Sequence, residues 1–465
     1  MEELAQTVHL VVWGPWTMAL FLGTGLYFTV KSRAFQIKGF SVWWRATVGS
    51  LPGNGRAREG AREKGRITSF QSACTALAAT IGTGNIVGVA TALTAGGPGA
   101  IFWMWVCALI GMATAYAETS LGQKYRYRGE DGHWMCGPMV YMERGVGCKQ
   151  LGILYAFFAV LSSLGMGSMV QSNSMSGSLK FGAGIPPLVS AVLITALSGA
   201  VILGGIGRIS QVAQRLIPIS AGIYFLFSMT VILSCFKSLP HVFASIFSGA
   251  FCAPAVGGGA AGFLLSRSVR YGMSRGVFSN EAGLGSLAVL HGAAEDTDPQ
   301  EQGMWAMFEV FFDTVVICTL TALVILCVQN EAGAMAPTNA DGAALAAWCF
   351  SRKLGAAGEL LVSGAMLVFA FATIIAWYYL GRQTAEYLAD RLGGRRKKAI
   401  LRLYTALYLG AVFAGCVWRL GLVWLVSDVW NGLMAYPNLL ALWLLARQVR
   451  FPRISRRRSR RDSPA

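Results

Sequence analysis

The chain has 465 residues, 54% of them hydrophobic and 13% charged, with a formal net charge of +17. A soluble domain carries about 25% charged residues. This composition therefore excludes an ordinary soluble enzyme or binding module and points to a membrane protein with many spans. The positive charge does not mark a nucleic-acid binder, because Lys and Arg gather between the apolar runs, where topology signals lie.

Eleven apolar runs read as helices, at roughly 9–30, 70–96, 98–122, 151–173, 185–205, 212–236, 262–290, 303–329, 357–380, 399–416 and 421–446. The leading Met1-Glu2-Glu3 is acidic where a cleaved signal would be basic, so the first run is expected to stay as a membrane helix. The stretch 238–256 is too short and polar to span and suits an interfacial or re-entrant helix. Lys and Arg fall in alternate connections: nine in 31–69, five in 123–150, Arg208 and Arg215, seven in 382–402 and eight in 447–461, together 31 of 39. The positive-inside rule then places the N-terminus outside and the C-terminus in the cytoplasm. One place disagrees. Arg267, Arg270 and Arg275 lie toward the outer end of the seventh run, and Glu295, Asp296, Asp298 and Glu301 lie in the inner loop after it.

The ten cysteines form no CxxC pair, and of the four histidines only His133 lies near a cysteine, Cys136. Metal and redox chemistry are not expected; the apolar cysteines pack as small hydrophobes.

Two glycine-rich breaks interrupt apolar runs: Thr80-Ile81-Gly82-Thr83-Gly84-Asn85, and Ser279-Asn280-Glu281-Ala282-Gly283-Leu284-Gly285-Ser286. Glycine weakens a helix interior, and unpaired backbone at membrane depth is tolerated only against protein or a cavity. Paired broken helices in the two halves of a chain are the sequence mark of a secondary transporter's binding site. At a break, the free N–H end suits a carboxylate and the free C=O end suits a small cation. Gly82 and Gly84 permit close approach, and Thr83 and Asn85 add side-chain oxygens. The same small residues also suit close helix packing. Glu281, a carboxylate inside the membrane, either faces the cavity, pairs with Arg275 or carries a proton. Other polar residues inside spans are Glu118, Gln171, Asn173, Glu309, Asp313 and Thr373. Glu118 is expected to snorkel or to pair with Lys124. A channel fits less well than a carrier, since a pore needs a continuous polar path. An intramembrane enzyme lacks a third partner for Glu281 and His291.

Ala76-Leu77-Ala78-Ala79-Thr80-Ile81-Gly82-Thr83-Gly84-Asn85-Ile86-Val87-Gly88, then Gly96-Gly97-Pro98-Gly99, Gly137-Pro138-Met139-Val140-Tyr141-Met142, Met169-Val170-Gln171-Ser172-Asn173, Arg275-Gly276-Val277-Phe278-Ser279-Asn280-Glu281-Ala282-Gly283 and Asp313-Thr314 resemble the motifs of the alanine or glycine:cation symporter family. The likeness runs from about residue 66 to 390. It implies an all-α, polytopic, leucine-transporter-like fold of about eleven transmembrane helices: five plus five in an inverted repeat with two discontinuous helices, and one extra helix. Residues 1–69 would hold the extra helix and a basic cytoplasmic loop, 70–446 the transporter core, and 447–465 a basic cytoplasmic tail. The implied activity is Na⁺-coupled, or H⁺-coupled, uptake of alanine, glycine or their D-forms across a prokaryotic plasma membrane. A transport-deficient sensor of the same fold is the remaining alternative. Carried over by motif, the substrate carboxylate would meet the N–H groups of Thr83 and Gly84, with Gln171, Phe278, Asn280 and Trp377 completing the pocket. Na⁺ would sit among the carbonyls of Ala78, Ile81 and Phe369 and the hydroxyl of Thr373. Glu281 would be a proton or gate residue. One departure stands out: the family commonly has Ser-Thr where this chain has Ala372-Thr373, so one hydroxyl is missing from the cation site. The resemblance leaves the oligomeric state open and is compatible with a monomer.

Overall fold

The computed structural model describes residues 2–50, 67–129, 132–251, 267–295, 297–331, 342–391, 396–418 and 420–453. Within them the chain is almost wholly helical; the exception is a short antiparallel hairpin of Tyr127–Arg128 and Trp134–Met135. An apolar chain in lipid has no water to satisfy its backbone, and helices do so internally.

Besides the short helices Phe35–Lys38, Phe40–Ala46 and Pro138–Tyr141, the helices, in order, are α1 (Glu2–Val12), α2 (Pro15–Lys31), α3 (Ser69–Thr80), α4 (Val87–Gly96), α5 (Gly99–Tyr125), α6 (Lys149–Lys180), α7 (Pro187–Ile202), α8 (Gly205–Ser234), α9 (Leu239–Ala250), α10 (Arg267–Asn280), α11 (Ser286–Leu290), α12 (Pro299–Asn330), α13 (Gly342–Leu354), α14 (Ala356–Arg391), α15 (Lys397–Val417) and α16 (Leu420–Leu444). Seven helical segments are long and apolar enough to cross a bilayer, and the bent pair α3–α4 makes an eighth. The shorter helix α7, the α10–α11 pair and α16 occupy the other three expected segments. Residues 262–266 of the expected seventh run, 252–256 of the expected interfacial stretch, 51–66 of the basic loop, Asp296 and the tail from 454 lie outside the described residues.

Several boundaries differ from the sequence reading. The connection expected at 206–211 is helical, because α8 starts at Gly205 and turns Ile209, Ser210, Ala213 and Ile217 inward. Arg208 stays outside and donates to the carbonyl of Ala200 at 2.8 Å. α14 continues past 380 to Arg391, since its last turns still bury Gln383, Thr384, Tyr387 and Ala389. α9 buries Val242, Ile246 and Ala250 and leaves Phe243 and Phe247 exposed, so it is apolar on both faces. The helix α13 was not expected at all.

At the centre, α5 packs against α10 and α12. Small residues make the approach close: a Cβ at Gly272 would lie 2.4 Å from the carbonyl oxygen of Ala100, and one at Gly111 would lie 3.0 Å from Ala282 Cβ. The two ends of the chain also meet. Trp13 Nε1 donates to the carbonyl of Asp428 at 2.7 Å, Tyr436 Oη to that of Val12 at 3.1 Å, and Trp443 Nε1 to Thr24 Oγ1 at 2.9 Å. Two of the charges that broke the topology pattern have partners. Arg275 lies 3.1 Å from Asp428, and Glu295 pairs with Arg128 at 3.4 Å.

Candidate functional site

The first break is built by α3 and α4. A reciprocal cap between Thr68 and Gln71 starts α3. The helix stops at Thr80, and the chain bends by 57° through a 3₁₀ turn, Thr83–Asn85, before α4 begins. The stop has a local cause. The N–H of Gly82, which would continue the helix by bonding the carbonyl of Ala78, donates instead to Asn85 Oδ1 at 3.0 Å. The carbonyl of Ala78 is left facing Thr373 Oγ1 at 2.9 Å; that hydroxyl also lies 3.0 Å from the carbonyl oxygen of Phe369 and 3.5 Å from that of Ile81. One hydroxyl carries one proton, so three carbonyls cannot all be satisfied by it. The spot is rich in oxygen acceptors, which is what a hard cation takes as ligands. Ala372, beside Thr373, is buried and offers no oxygen from its side chain.

Four of the six expected substrate residues gather at this break. The N–H of Thr83 donates to Gln171 Oε1 at 3.2 Å. Gln171 follows a π-helical stretch of α6, Ser163–Val170, a local irregularity frequent at functional sites. A Cβ at Gly82 would lie 2.6 Å from Thr373 Oγ1 and 3.2 Å from Gln171 Oε1, and one at Gly84 would lie 3.4 Å from Phe278 Cδ1. The backbone here is in direct reach of its neighbours only because these positions lack side chains. Thr83 Oγ1 is buried without a hydrogen-bond partner. The other two expected residues lie elsewhere. Asn280 turns toward α12, donating to Thr314 Oγ1 at 3.2 Å and accepting from the N–H of Ala282 at 3.1 Å. Trp377 sits beneath the second break, where its Nε1 donates to Glu281 Oε1 at 2.8 Å.

The second break separates α10 from α11. Glu281 adopts a left-handed conformation (φ +57°), followed by Gly283 at +94° and Gly285 at +80°. For a non-glycine residue that conformation costs about 1–2 kcal/mol. It is held by the N–H of Glu281 on the carbonyl of Val277 at 2.9 Å and by the Trp377 bond. The unwound carbonyls find side-chain donors: Asn438 Nδ2 reaches Gly283 at 2.9 Å, and Tyr155 Oη reaches Leu284 at 3.1 Å. Asn438 Nδ2 also donates to Glu118 Oε1 at 2.6 Å. Glu281 therefore does not pair with Arg275, nor Glu118 with Lys124, whose Nζ donates to Gln448.

Asp313 and Glu309 stand out in the sequence only as polar residues inside a span. Both lie on α12, four residues apart and so on one face. Asp313, in a π-helical stretch (Phe311–Cys318), accepts from Asn85 Nδ2 at 2.6 Å, Ser279 Oγ at 2.7 Å and Thr314 Oγ1 at 2.8 Å. One buried carboxylate thereby links the turn of the first break to the last turn of α10. Glu309 lies 2.9 Å from His291 Nε2 and accepts from Thr80, the last residue of α3, at 3.3 Å. A carboxylate within an apolar helix was the available signal. Partners 228 and 229 positions away were not visible. Among the described residues no group of three or more His, Cys, Asp or Glu is placed to hold a metal.

The model of the sodium:alanine symporter family matches residues 1–454. An uncharacterized transporter of Haemophilus influenzae is 39% identical over 444 residues, which cover 95% of this chain and 93% of that one. The sodium/alanine symporter AgcS of Methanococcus maripaludis is 38% identical over 448 residues, with 96% and 94% covered. Among solved structures, a Na⁺-coupled sialic acid symporter in a substrate-bound outward-open state superimposes with a TM-score of 0.57 at 14% identity, over 92% of this chain and 86% of that one. That likeness is one of fold.

Proposed function

The chain belongs to the sodium:alanine symporter family, and on that premise we propose that it couples Na⁺ influx to the uptake of alanine or glycine, in the L or D form, by alternating access. It is a transporter and not an enzyme. The observation that carries the coupling reading is the acceptor-rich spot around Thr373 Oγ1, with the carbonyls of Ala78, Phe369 and Ile81 within 3.5 Å. Beside it, the unpartnered hydroxyl of Thr83 is a donor for a carboxylate, and the N–H of Thr83 becomes a second one once Gln171 Oε1, which it now bonds, is displaced. In this reading Na⁺ binds first between α3 and Thr373 and fixes the break. The amino acid then docks its carboxylate on the Thr83–Gly84 segment, with Gln171 and Phe278 beside it. Occupancy favours closure and rocking of the two halves. Coupling is linkage, so Na⁺ and alanine tighten each other's binding by the same factor. The core would be residues 70–446, in a prokaryotic plasma membrane, with the N-terminus outside and the C-terminus in the cytoplasm.

A second reading, H⁺ coupling, is favoured by Glu281, which is wholly buried and has Trp377 Nε1 rather than a cation beside it. The test is uptake of labelled alanine into proteoliposomes under an inward Na⁺ gradient, a K⁺ gradient or a pH gradient. Na⁺-driven accumulation that Thr373→Ala abolishes is the expected result. Accumulation driven by protons alone would move the coupling role to Glu281. No uptake under any gradient would reject symport of these substrates and leave the sensor alternative.

A further inference from the structure

The connections that follow α2 and α16 lie side by side. Lys31, the last residue of α2, donates to the carbonyl of Ala446, just past the end of α16. Phe35 and Phe451 meet with ring centres 6.1 Å apart, and Phe451 stacks on Tyr116 of α5 at 4.3 Å. Both stretches are basic. Arg33, Lys38 and Arg45 in the first, and Arg447, Arg450 and Arg453 in the second, are all exposed. None of these side chains has a partner among the described residues, and neither 31–50 nor 441–453 contains an Asp or Glu. Asp298, the acid beside Tyr116, caps α12 by accepting from the N–H of Gln300 at 3.0 Å.

The short helices Phe35–Lys38 and Phe40–Ala46 present three faces. One is fixed to protein. Phe35, Gln36 and Trp43 are buried there, Gln36 Nε2 donates to the carbonyl of Leu109 at 3.3 Å, and Trp43 Nε1 donates to that of Gln36 at 3.1 Å. A second face is apolar and exposed: Ile37, Phe40 and Trp44 follow at helical spacing, and the rings of Phe40 and Trp44 stack at 5.4 Å. The third is polar, with Lys38, Ser41 and Arg45 at the same kind of spacing. Trp443 and Leu444, at the end of α16, are exposed as well. An aromatic face beside a basic one is the pattern of a helix lying in the membrane interface, with rings at the acyl boundary and cations among the headgroups.

We propose that this face binds anionic phospholipid, with the six cations on headgroup phosphates and Ile37, Phe40 and Trp44 against the acyl chains. A guanidinium can hold two phosphate oxygens at once. The two faces together select the occupant. A soluble polyanion would leave the aromatic face bare, and a second copy in a two-fold dimer would set cations against cations. A zwitterionic lipid suits the rings but brings a cation of its own beside the phosphate. An anionic lipid satisfies both faces, and in doing so it clamps the first connection of the chain to its last.

The test is a titration of the purified protein, in neutral detergent, with phosphatidylglycerol or with phosphatidylcholine, counting bound lipid by native mass spectrometry. Phosphatidylglycerol should bind at far lower concentration. Arg33→Gln, Lys38→Gln and Arg45→Gln combined should weaken it roughly a hundredfold, at about fivefold per charge removed. Arg447→Gln, Arg450→Gln and Arg453→Gln combined should do the same. Lys180→Gln with Lys237→Gln, which removes two exposed cations outside both stretches, should change nothing. Thermal unfolding in phosphatidylcholine shows which variants are folded, and either triple carries the test if the other is not. Equal binding of the two lipids would overturn the proposal, as would phosphatidylglycerol binding that survives both triples. Competition by glycerol phosphate at the concentration of the lipid would overturn it in favour of a site for soluble phosphate. A dimer that the triples dissociate would give the face to a second copy instead.

Discussion

Replacing Thr373 by valine keeps the volume and branching of the side chain and deletes a single oxygen. That oxygen faces the carbonyls of Ala78 at 2.9 Å, Phe369 at 3.0 Å and Ile81 at 3.5 Å. If Na⁺ is held here, it loses one of four protein oxygens and keeps three, all of them backbone. An interaction with a charged group is worth about 1.5–3 kcal/mol. At about 1.4 kcal/mol per factor of ten, the Na⁺ concentration for half-maximal alanine uptake should rise about 10- to 150-fold. The fold should lose about 1–3 kcal/mol, since the buried carbonyl of Ala78 is left without its donor. The assay is initial-rate uptake of labelled alanine into proteoliposomes over a Na⁺ titration, with thermal unfolding in parallel. Linkage adds a second readout: at low Na⁺, alanine affinity should fall in the valine variant, and saturating Na⁺ should restore it. A well-folded Thr373→Val protein whose Na⁺ half-saturation shifts less than threefold would refute the assignment of the cation to this spot.

Ala372→Ser puts back a hydroxyl beside Thr373, and one added neutral ligand worth about 1 kcal/mol should lower the Na⁺ half-saturation roughly fivefold; an unchanged titration would show that the side chain at 372 does not reach the ion. Gly82→Ala drives a Cβ to 2.6 Å from Thr373 Oγ1 and 3.2 Å from Gln171 Oε1. It should cost about 1–3 kcal/mol in stability and abolish alanine binding, and retention of near-normal affinity would mean the break has more room than described. Asp313→Asn removes the charge that accepts from Asn85, Ser279 and Thr314, and thermal unfolding should show a loss of about 1–3 kcal/mol; an unaltered melting curve would deny that this carboxylate joins the two breaks. His291→Ala leaves Glu309 buried without its partner, at about 3–5 kcal/mol, and adding Glu309→Gln should recover much of it. Strictly additive losses in that pair would contradict the contact.

The breaks were legible because glycine, asparagine and a carboxylate are conspicuous in apolar helices. The structure places both where Gly82–Asn85 and Glu281–Gly285 predicted. The residues expected around the cation lie together, since Phe369 and Thr373 are one helical turn apart and the Thr373 hydroxyl lies 3.0 Å from the carbonyl of Phe369 and 2.9 Å from that of Ala78. The position of Trp377 was not legible. A tryptophan one turn beyond Thr373 was expected around the substrate, yet its N–H bonds Glu281, and nothing in the local pattern encodes that choice. The role of Asp313 was hidden for the same reason: helical period tells which face a residue occupies, and not which distant amide it meets. Boundaries failed where burial outlasts hydrophobicity, as at the end of α14, whose final turns bury Gln383, Thr384 and Tyr387.

The bonds that join α1 and α2 to α16 carry a consequence in time. Trp13 and its acceptor on Asp428 are 415 positions apart. At about 5–20 residues per second of synthesis, the first helix waits roughly 20–80 s in the bilayer before its partner is made. During that wait the indole of Trp13 must be satisfied by lipid headgroups, water or the insertion machinery, whereas the hydroxyl of Thr24 already donates to the carbonyl of Leu20 at 2.7 Å. Chains halted before residue 420 should therefore be marked for degradation at their first helix as well as at their last.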